Sequence, residues 1–346
     1  MRRGRHQIWA CFALVGAILV AAPSLSDPRF KRVRFDELVG WPQDDHAAAL
    51  TVFLNSCQDI SAPEWAPICQ FAKTQKNART FFELLFTPVL IHPDETALFT
   101  GYFEPELRGS RQRTPVYRFP IYKKPPDLIK GQRHFTRQEI ESGGLLGRGL
   151  EIAWVDDPVE AYYLHIQGSG KITFEDGSSI RVGYAGENGH VYRSAARELI
   201  RQGEIPAAQA SINGVKSWFR KNPEKGRRAL WHNASYVFFR EVKGLTDKQG
   251  PMGALDLPIT GLRSIAVDPK YVQMGAPIWV EKGGQHALRR LMIAQDVGSA
   301  IKGAQRGDIF FGTGSLAGEQ AGNTKNPGRM VVFLPHEIAN RLLGDS

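Results

Sequence analysis

The chain has 346 residues, 42% hydrophobic and 23% charged, which are values of a folded globular protein and exclude a disordered chain. Its formal net charge of +9 suits a polyanionic partner. With 35 glycines and 21 prolines among many short apolar runs, it reads as β-structure with frequent turns, in one large domain or two ordinary ones.

The chain opens "MRRGRHQIWACFALVGAILVAAPSLSD". Arg2, Arg3 and Arg5 precede an apolar run from Ile8 to Ala22, and small residues follow near Ser24 and Ser26. That pattern predicts a secretory signal peptide over residues 1–26, and hence a periplasmic protein. A retained single-span anchor is the competing reading, but the run is short for a hydrocarbon core of about 30 Å. Cys11 lies early in the run beside bulky Trp9, so no lipid-attachment cysteine is evident, although association with the outer membrane fits the exported class. Removing residues 1–26 leaves 41 basic against 35 acidic side chains, about +6. Nucleic acid, anionic lipid and cell wall would each suit that charge, and export argues against nucleic acid. Export also bears on "CQDISAPEWAPIC", where Cys57 and Cys69 are candidates for a disulfide. Two buried free thiols are the alternative. No metal or other cofactor is expected, because two cysteines without clustered histidine leave too few soft ligands.

Residues 45–90 read as helical, with Asn77 as an N-cap before "ARTFFELLF". "ALFTGYFEPELRGS" reads as a strand running into a loop, and the Pro-rich, basic "TPVYRFPIYKKPPDLIKGQ" as a connection between domains. Further on, "KITFE" and "SIRVGY" flank Asp176-Gly177 as a hairpin. "VYRSAARELIRQG" predicts a helix ending at Gly203, and "AAQASINGVKSWFRKNP" another that stops before Pro223. From about Gly253 the chain returns to strands: "RSIAVDP", "APIWVEK", "LRRLMIAQD", "GDIFFGTG" and "GRMVVFLP". Their short, even spacing suggests a small closed barrel.

No dinucleotide loop, P-loop, HExxH, CxxC or nucleophile elbow is present. Carboxylates are what remain for chemistry. Asp268, Asp296 and Asp308 each stand at the edge of a strand-like run, where a barrel can hold an acid rigidly. Partial desolvation there would raise a carboxyl pKa and keep a proton available, so that it could protonate a glycosidic oxygen. Equally, Asp before Pro starts turns, and Asp296 before Val-Gly suits a loop organiser. Asp308 has the best local case because it enters "IFF" directly after Arg-Gly.

Five blocks in order, "LFTGYFEPEL", "AYYLHIQGSGKI", "GYAGENGHVYRS", "ITGLRSIAVDPKYVQMGAPIWVE" and "AQDVGSAIKGAQRGDIFFGTG", resemble the lytic murein transglycosylase A family. The last two look like its three-aspartate barrel module, with Asp268, Asp296 and Asp308 in the matching places. Ser299 stands where a second glycine is more usual. The resemblance implies a mainly β protein: a double-psi β-barrel formed by residues 27–105 and 237–346, with an inserted β-rich domain over 106–236 and helices near the N-terminus. A groove between the two would hold a glycan strand of peptidoglycan.

The implied reaction cleaves the β-1,4 bond between N-acetylmuramic acid and N-acetylglucosamine without water. The muramic acid C6 hydroxyl attacks its own C1 and leaves a 1,6-anhydro ring. A tethered nucleophile needs no second carboxylate, so one acid can serve twice. The resemblance assigns that role to Asp308, with Asp296 in support and Asp268 structural. Thr100, Tyr102, Gln167, Gly168 and Ser169 are candidates for lining the groove, or else turn residues beside a strand. Lys302 is a candidate for meeting substrate carboxylates. The protein is expected to act as a monomer on glycan strands, with other cell-wall enzymes as candidate partners. Two other readings compete: a hydrolytic glycosidase, and a non-catalytic, expansin-like wall-binding protein.

Overall fold

The computed structural model describes residues 27–344, apart from 59, 61, 211, 247, 248 and 285. The expected signal peptide lies outside the described residues. Among them, no helix is long and apolar enough to cross a membrane.

The N-terminal part runs β1 (Phe30–Arg32), α1 (His46–Ser56), α2 (Ala66–Ala72), α3 (Ala78–Leu85) and β2 (Phe86–Ile91). Asp45 and Asn77 cap α1 and α3 by accepting from the amides of Ala48 and Thr80. The helical stretch therefore ends at Leu85, and residues 86–91 are a fully buried strand, whose burial on both faces leaves no period to tell it from a helix. Cys57 and Cys69 form a disulfide with their Cα atoms 5.6 Å apart, tying the end of α1 to α2.

β3 (Ala97–Glu104) leads straight into the second sheet. That sheet comprises β4 (Glu106–Ser110), β5 (Phe119–Tyr122), β6 (Glu151–Val155), β7 (Ser169–Phe174), β8 (Ser179–Glu187) and β9 (Val237–Val242), in the order β5-β6-β4-β7-β8-β9. The expected loop after Pro105 is thus a strand, β4, paired in parallel with β7. The Pro-rich connection holds β5 and lies within the sheet. β9 hydrogen-bonds to β8, so the chain stays in this sheet past residue 236, where the sequence placed the boundary. The hairpin at Asp176-Gly177 forms as expected, with Gly177 at φ +81°.

A helical layer accompanies this sheet: α4 (Arg137–Glu139, continued by a π turn), α5 (Pro158–Gln167), α6 (Ala195–Arg201), α7 (Ile212–Lys221) and α8 (Pro223–Trp231). Residues of α5 to α8, among them Tyr162, Leu199, Phe219 and Leu230, share one apolar core. Pro223 stops α7 and begins α8, because the missing N–H costs nothing at a first helical position.

β10 (Ser264–Val267), β11 (Pro277–Lys282), β12 (Leu288–Val297), β13 (Arg306–Thr313) and β14 (Lys325–Pro335) are the five predicted C-terminal strands. With β3 they close a six-stranded barrel in the order β3-β13-β10-β12-β11-β14, sealed by pairing of β14 with β3. Two pairs, β3 with β13 and β10 with β12, are parallel, and the rest are antiparallel. This mixed closure is the double-psi β-barrel expected from the sequence. β2 and β1 extend it beyond β14. Its interior is continuous with the helical cap: Trp41 stands edge-on to Trp279, with ring centroids 5.2 Å apart. α9 (Ser315–Gly322) covers β3 and β13, and α10 (His336–Leu343) closes the chain.

Candidate active site

The parallel pairing of β3 and β13 sets Asp308 opposite Thr100. Thr100 Oγ1 donates a hydrogen bond to Asp308 Oδ1. Arg306, two residues earlier on β13, donates to Thr100 Oγ1 at 2.7 Å and to the carbonyls of Leu98 and Gly307. A hydroxyl has one proton, so a Thr100 oxygen that accepts from Arg306 has its proton directed to Asp308. Asp308 is buried enough that its pKa rises from 3.8 to about 6. Desolvation is the largest cause; the Thr100 hydrogen bond and the Arg306 charge pull down, and the Asp296 charge pushes up.

Asp296, at the end of β12, is held differently. Its Oδ1 accepts from the amides of Ala254 at 3.1 Å and Val297 at 2.9 Å, and its Oδ2 accepts from the Tyr102 hydroxyl at 2.8 Å. Burial raises its pKa against these three donors. Tyr102 therefore spans from β3 to β12, its ring resting beside Phe310 of β13. Gly101, between Thr100 and Tyr102, lets α9 close on this strand: a Cβ there would come within 2.6 Å of the Phe311 ring and 2.7 Å of the Ala321 backbone.

Asp268 is fastened to the loop between β12 and β13. Its carboxylate accepts from the amides of Lys270 at 3.2 Å and Gly303 at 2.9 Å. Burial alone would raise its pKa, but those amides and the charges of Lys302 and Lys270 bring it below the ordinary value. Lys302 itself is exposed on that loop. Two buried glutamines brace the same segment. Gln295 donates to Ser56 Oγ of α1 at 2.9 Å, and Gln305 bonds the backbones of Ile91 and Met330.

A cavity of about 240 Å³ opens over Asp308 between the barrel and the helical layer of the insert. Gly101, Tyr102 and Asp308 form one wall; Tyr162, Tyr163 and Gln167 of α5, with Tyr192, form the other. Gln167 also accepts from the Phe103 amide at 3.1 Å, joining the end of α5 to β3. The structure thus brings Thr100, Tyr102, Gln167, Asp296 and Asp308 together. Gly168 and Ser169 stand apart from the cavity wall. Gly168 ends α5 in the left-handed region at φ +78°, and Ser169 is buried as the first residue of β7. Asp268 and Lys302 also lie off that wall, on the loop. Arg306 and the three tyrosines were missed in the sequence; the Arg-Gly step before Asp308 was the available signal for Arg306. Among the described residues no group of three or more His, Cys, Asp or Glu is placed to hold a metal.

Residues 98–240 match the model of the MltA specific insert domain, and residues 263–334 match the 3D domain. The structure superposes on membrane-bound lytic murein transglycosylase from Agrobacterium tumefaciens with a TM-score of 0.82 and 32% identity, covering 90% of this chain and 99% of that one. The chain belongs to the MltA family.

Other MltA structures agree. The Neisseria gonorrhoeae protein superposes with a TM-score of 0.78 at 32% identity, covering 91% of this chain and 97% of that one. Escherichia coli MltA with bound chitohexaose gives 0.74 at 27% identity, covering 89% of this chain and 94% of that one. By sequence, the membrane-bound lytic murein transglycosylase A of Escherichia coli K12 is 36% identical over 246 residues, 68% of this chain. That match spans 65% of the Escherichia coli MltA sequence.

Proposed function

We propose that this protein is a lytic transglycosylase that cleaves the β-1,4 bond between N-acetylmuramic acid and N-acetylglucosamine in peptidoglycan. The observation that carries this reading is the inequality of the two aspartates. Asp308 faces the cavity with a pKa raised to about 6, as a proton donor requires. Asp296 has both carboxylate oxygens occupied by three donors. A hydrolase of the usual kind needs a second carboxylate, as nucleophile or as base for water. Here that second group is engaged, so the nucleophile comes from the substrate.

Asp308 in its acid form gives its proton to the glycosidic oxygen as the bond from C1 to that oxygen breaks. The C6 hydroxyl of the same muramic acid closes on C1, and its proton passes to the Asp308 carboxylate. The acid is regenerated, no water is consumed, and a 1,6-anhydro end remains. Tethering the nucleophile removes most of the entropy cost of bringing it to C1. The Thr100–Arg306 pair orients the carboxyl, and the tyrosines of the facing wall offer flat apolar surfaces for sugar rings. The relatives' names support the substrate class, and the chitohexaose bound by one of them supports a glycan as the ligand. We assign the protein to the periplasm, and its family's membrane-bound members are consistent with a site of action beside the outer membrane.

Digestion of intact murein sacculi followed by mass spectrometry of the fragments tests the reading. Muropeptides with anhydro ends are expected. Fragments carrying only reducing ends would indicate the hydrolase, and no fragments would indicate the binding module.

A further inference from the structure

A second, larger cavity beside the insert sheet lies away from Asp308. It measures about 880 Å³, ample for a ligand of several residues, and contains none of the residues that hold Asp308 or Asp296. The helix α5 is the partition between the two cavities: Tyr162, Tyr163 and Gln167 face the Asp308 side, whereas Ala161 and His165 line the larger one.

Two features mark this second cavity as a site. Its floor holds two buried polar atoms with no hydrogen-bond partner in the structure, Tyr122 OH and His165 Nε2, in residues only 1% and 7% exposed. Such atoms are costly to leave unmet in a native interior. His165 Nδ1 faces Arg137 Nη1 at 2.9 Å, and a guanidinium can only donate, so Nδ1 accepts and the ring proton sits on Nε2. The rim carries Arg113 over Trp154, Arg118 over Phe119 and Arg227 over Trp231, at 5.6 to 5.9 Å from the ring centroids. Of the carboxylates in the same lining, Asp156, Asp157 and Glu141 are taken up by Arg108, Arg220 and Arg137, Glu224 is exposed, and none among the described residues is paired with these three. A cation–π contact holds a guanidinium beside the ring while leaving N–H groups for a carboxylate.

We propose that this cavity is a second binding site that takes an acidic peptide, through the three arginines held beside aromatic rings at the rim and the Tyr122 and His165 donors below. On the reading of the function above, on which this inference rests, that ligand is the carboxylate-bearing peptide attached to the muramic acid of the same polymer. The site then ranks peptide-bearing strands above bare ones without touching the reacting atoms.

The test compares the full-length protein with the Arg113→Gln, Arg118→Gln, Arg227→Gln triple variant on murein and on glycan strands stripped of peptide by an amidase. The free peptide released by the amidase serves as a separate binding probe. Expected is a KM on peptide-bearing murein raised about tenfold in the variant, as the loss of three exposed ion pairs allows. Unchanged kinetics on stripped strands, which also report a folded variant, and wild-type binding of the free peptide that the variant loses are expected with it. Equal kinetics of the two proteins on peptide-bearing murein, or no binding of the free peptide by the wild type, would overturn the inference. Absence of anhydro products from both substrates would overturn the functional reading instead.

Discussion

Asp296 and Asp308 meet the same residue from opposite sides: Ala266 of β10 is paired with Asp296 on β12 and with Asp308 on β13. One strand separates the two aspartates, so each lies within the electrostatic reach of the other. The barrel gives them different partners, Tyr102 and loop amides for one, Thr100 for the other. That difference turns a pair of like residues into a frame and an acid.

Replacing Asp308 by Asn keeps the shape and removes the proton donor. Turnover of murein is expected to fall by about 10²-fold or more, the usual worth of a positioned general acid. Sedimentation with sacculi should show binding retained. Full activity in the Asn variant would contradict the assignment.

The pH dependence carries a sign. A general acid must be protonated in the free enzyme, so kcat/KM should decline as pH rises through about 6. Asp296→Asn removes a negative charge that raises the Asp308 pKa, and the alkaline limb should move down. Arg306→Met removes a positive charge that lowers it, and the limb should move up. Movement of the limb in the same direction in both variants would contradict this pair of charge assignments.

The same shift weighs on stability. The folded pKa of Asp308 lies above its unfolded value, so the ionised carboxylate opposes folding. The relative stabilisation is complete below about pH 4, the unfolded pKa, and is lost as pH rises through about 6. Two pH units, discounted for partial exposure, come to about 2 kcal/mol. Urea titrations should find Asp308→Asn more stable than wild type by about that amount at pH 8, with the difference closing near pH 4.

The disulfide spans twelve positions and pins α1 to α2 on the barrel. Changing both Cys57 and Cys69 to Ser should cost about 3 kcal/mol through the freer unfolded chain. A lower thermal midpoint in the double variant, and in wild type under reductant, checks it.

Much of this was legible in the sequence. The barrel strands are short apolar runs bounded by Gly, Pro or Asp, and all five in the C-terminal third form. Asp308 stood out because a carboxylate entering "IFF" has to be partly desolvated. The helix α5 was not legible. Its residues Val159 to His165 are all buried, apart from half-buried Glu160, and this hides a helical period. Its cap was readable in hindsight: Asp157 accepts from the amides of Val159 and Glu160, and Pro158 takes the first position. Missing that helix meant missing the tyrosine wall it presents. Gly168 and Ser169 drew attention as small residues suited to a close sugar contact, yet they serve the helix end and the start of β7. The Arg306–Thr100–Asp308 chain depends on parallel pairing between strands some 200 positions apart, which no local pattern carries.

The central claim is that the nucleophile belongs to the substrate and Asp308 is the one acid and base. Digestion of murein in water labelled with heavy oxygen tests it most directly. The account predicts fragments that end in 1,6-anhydromuramic acid and carry no label at C1. Labelled, reducing-end muramic acid as the main product would contradict it.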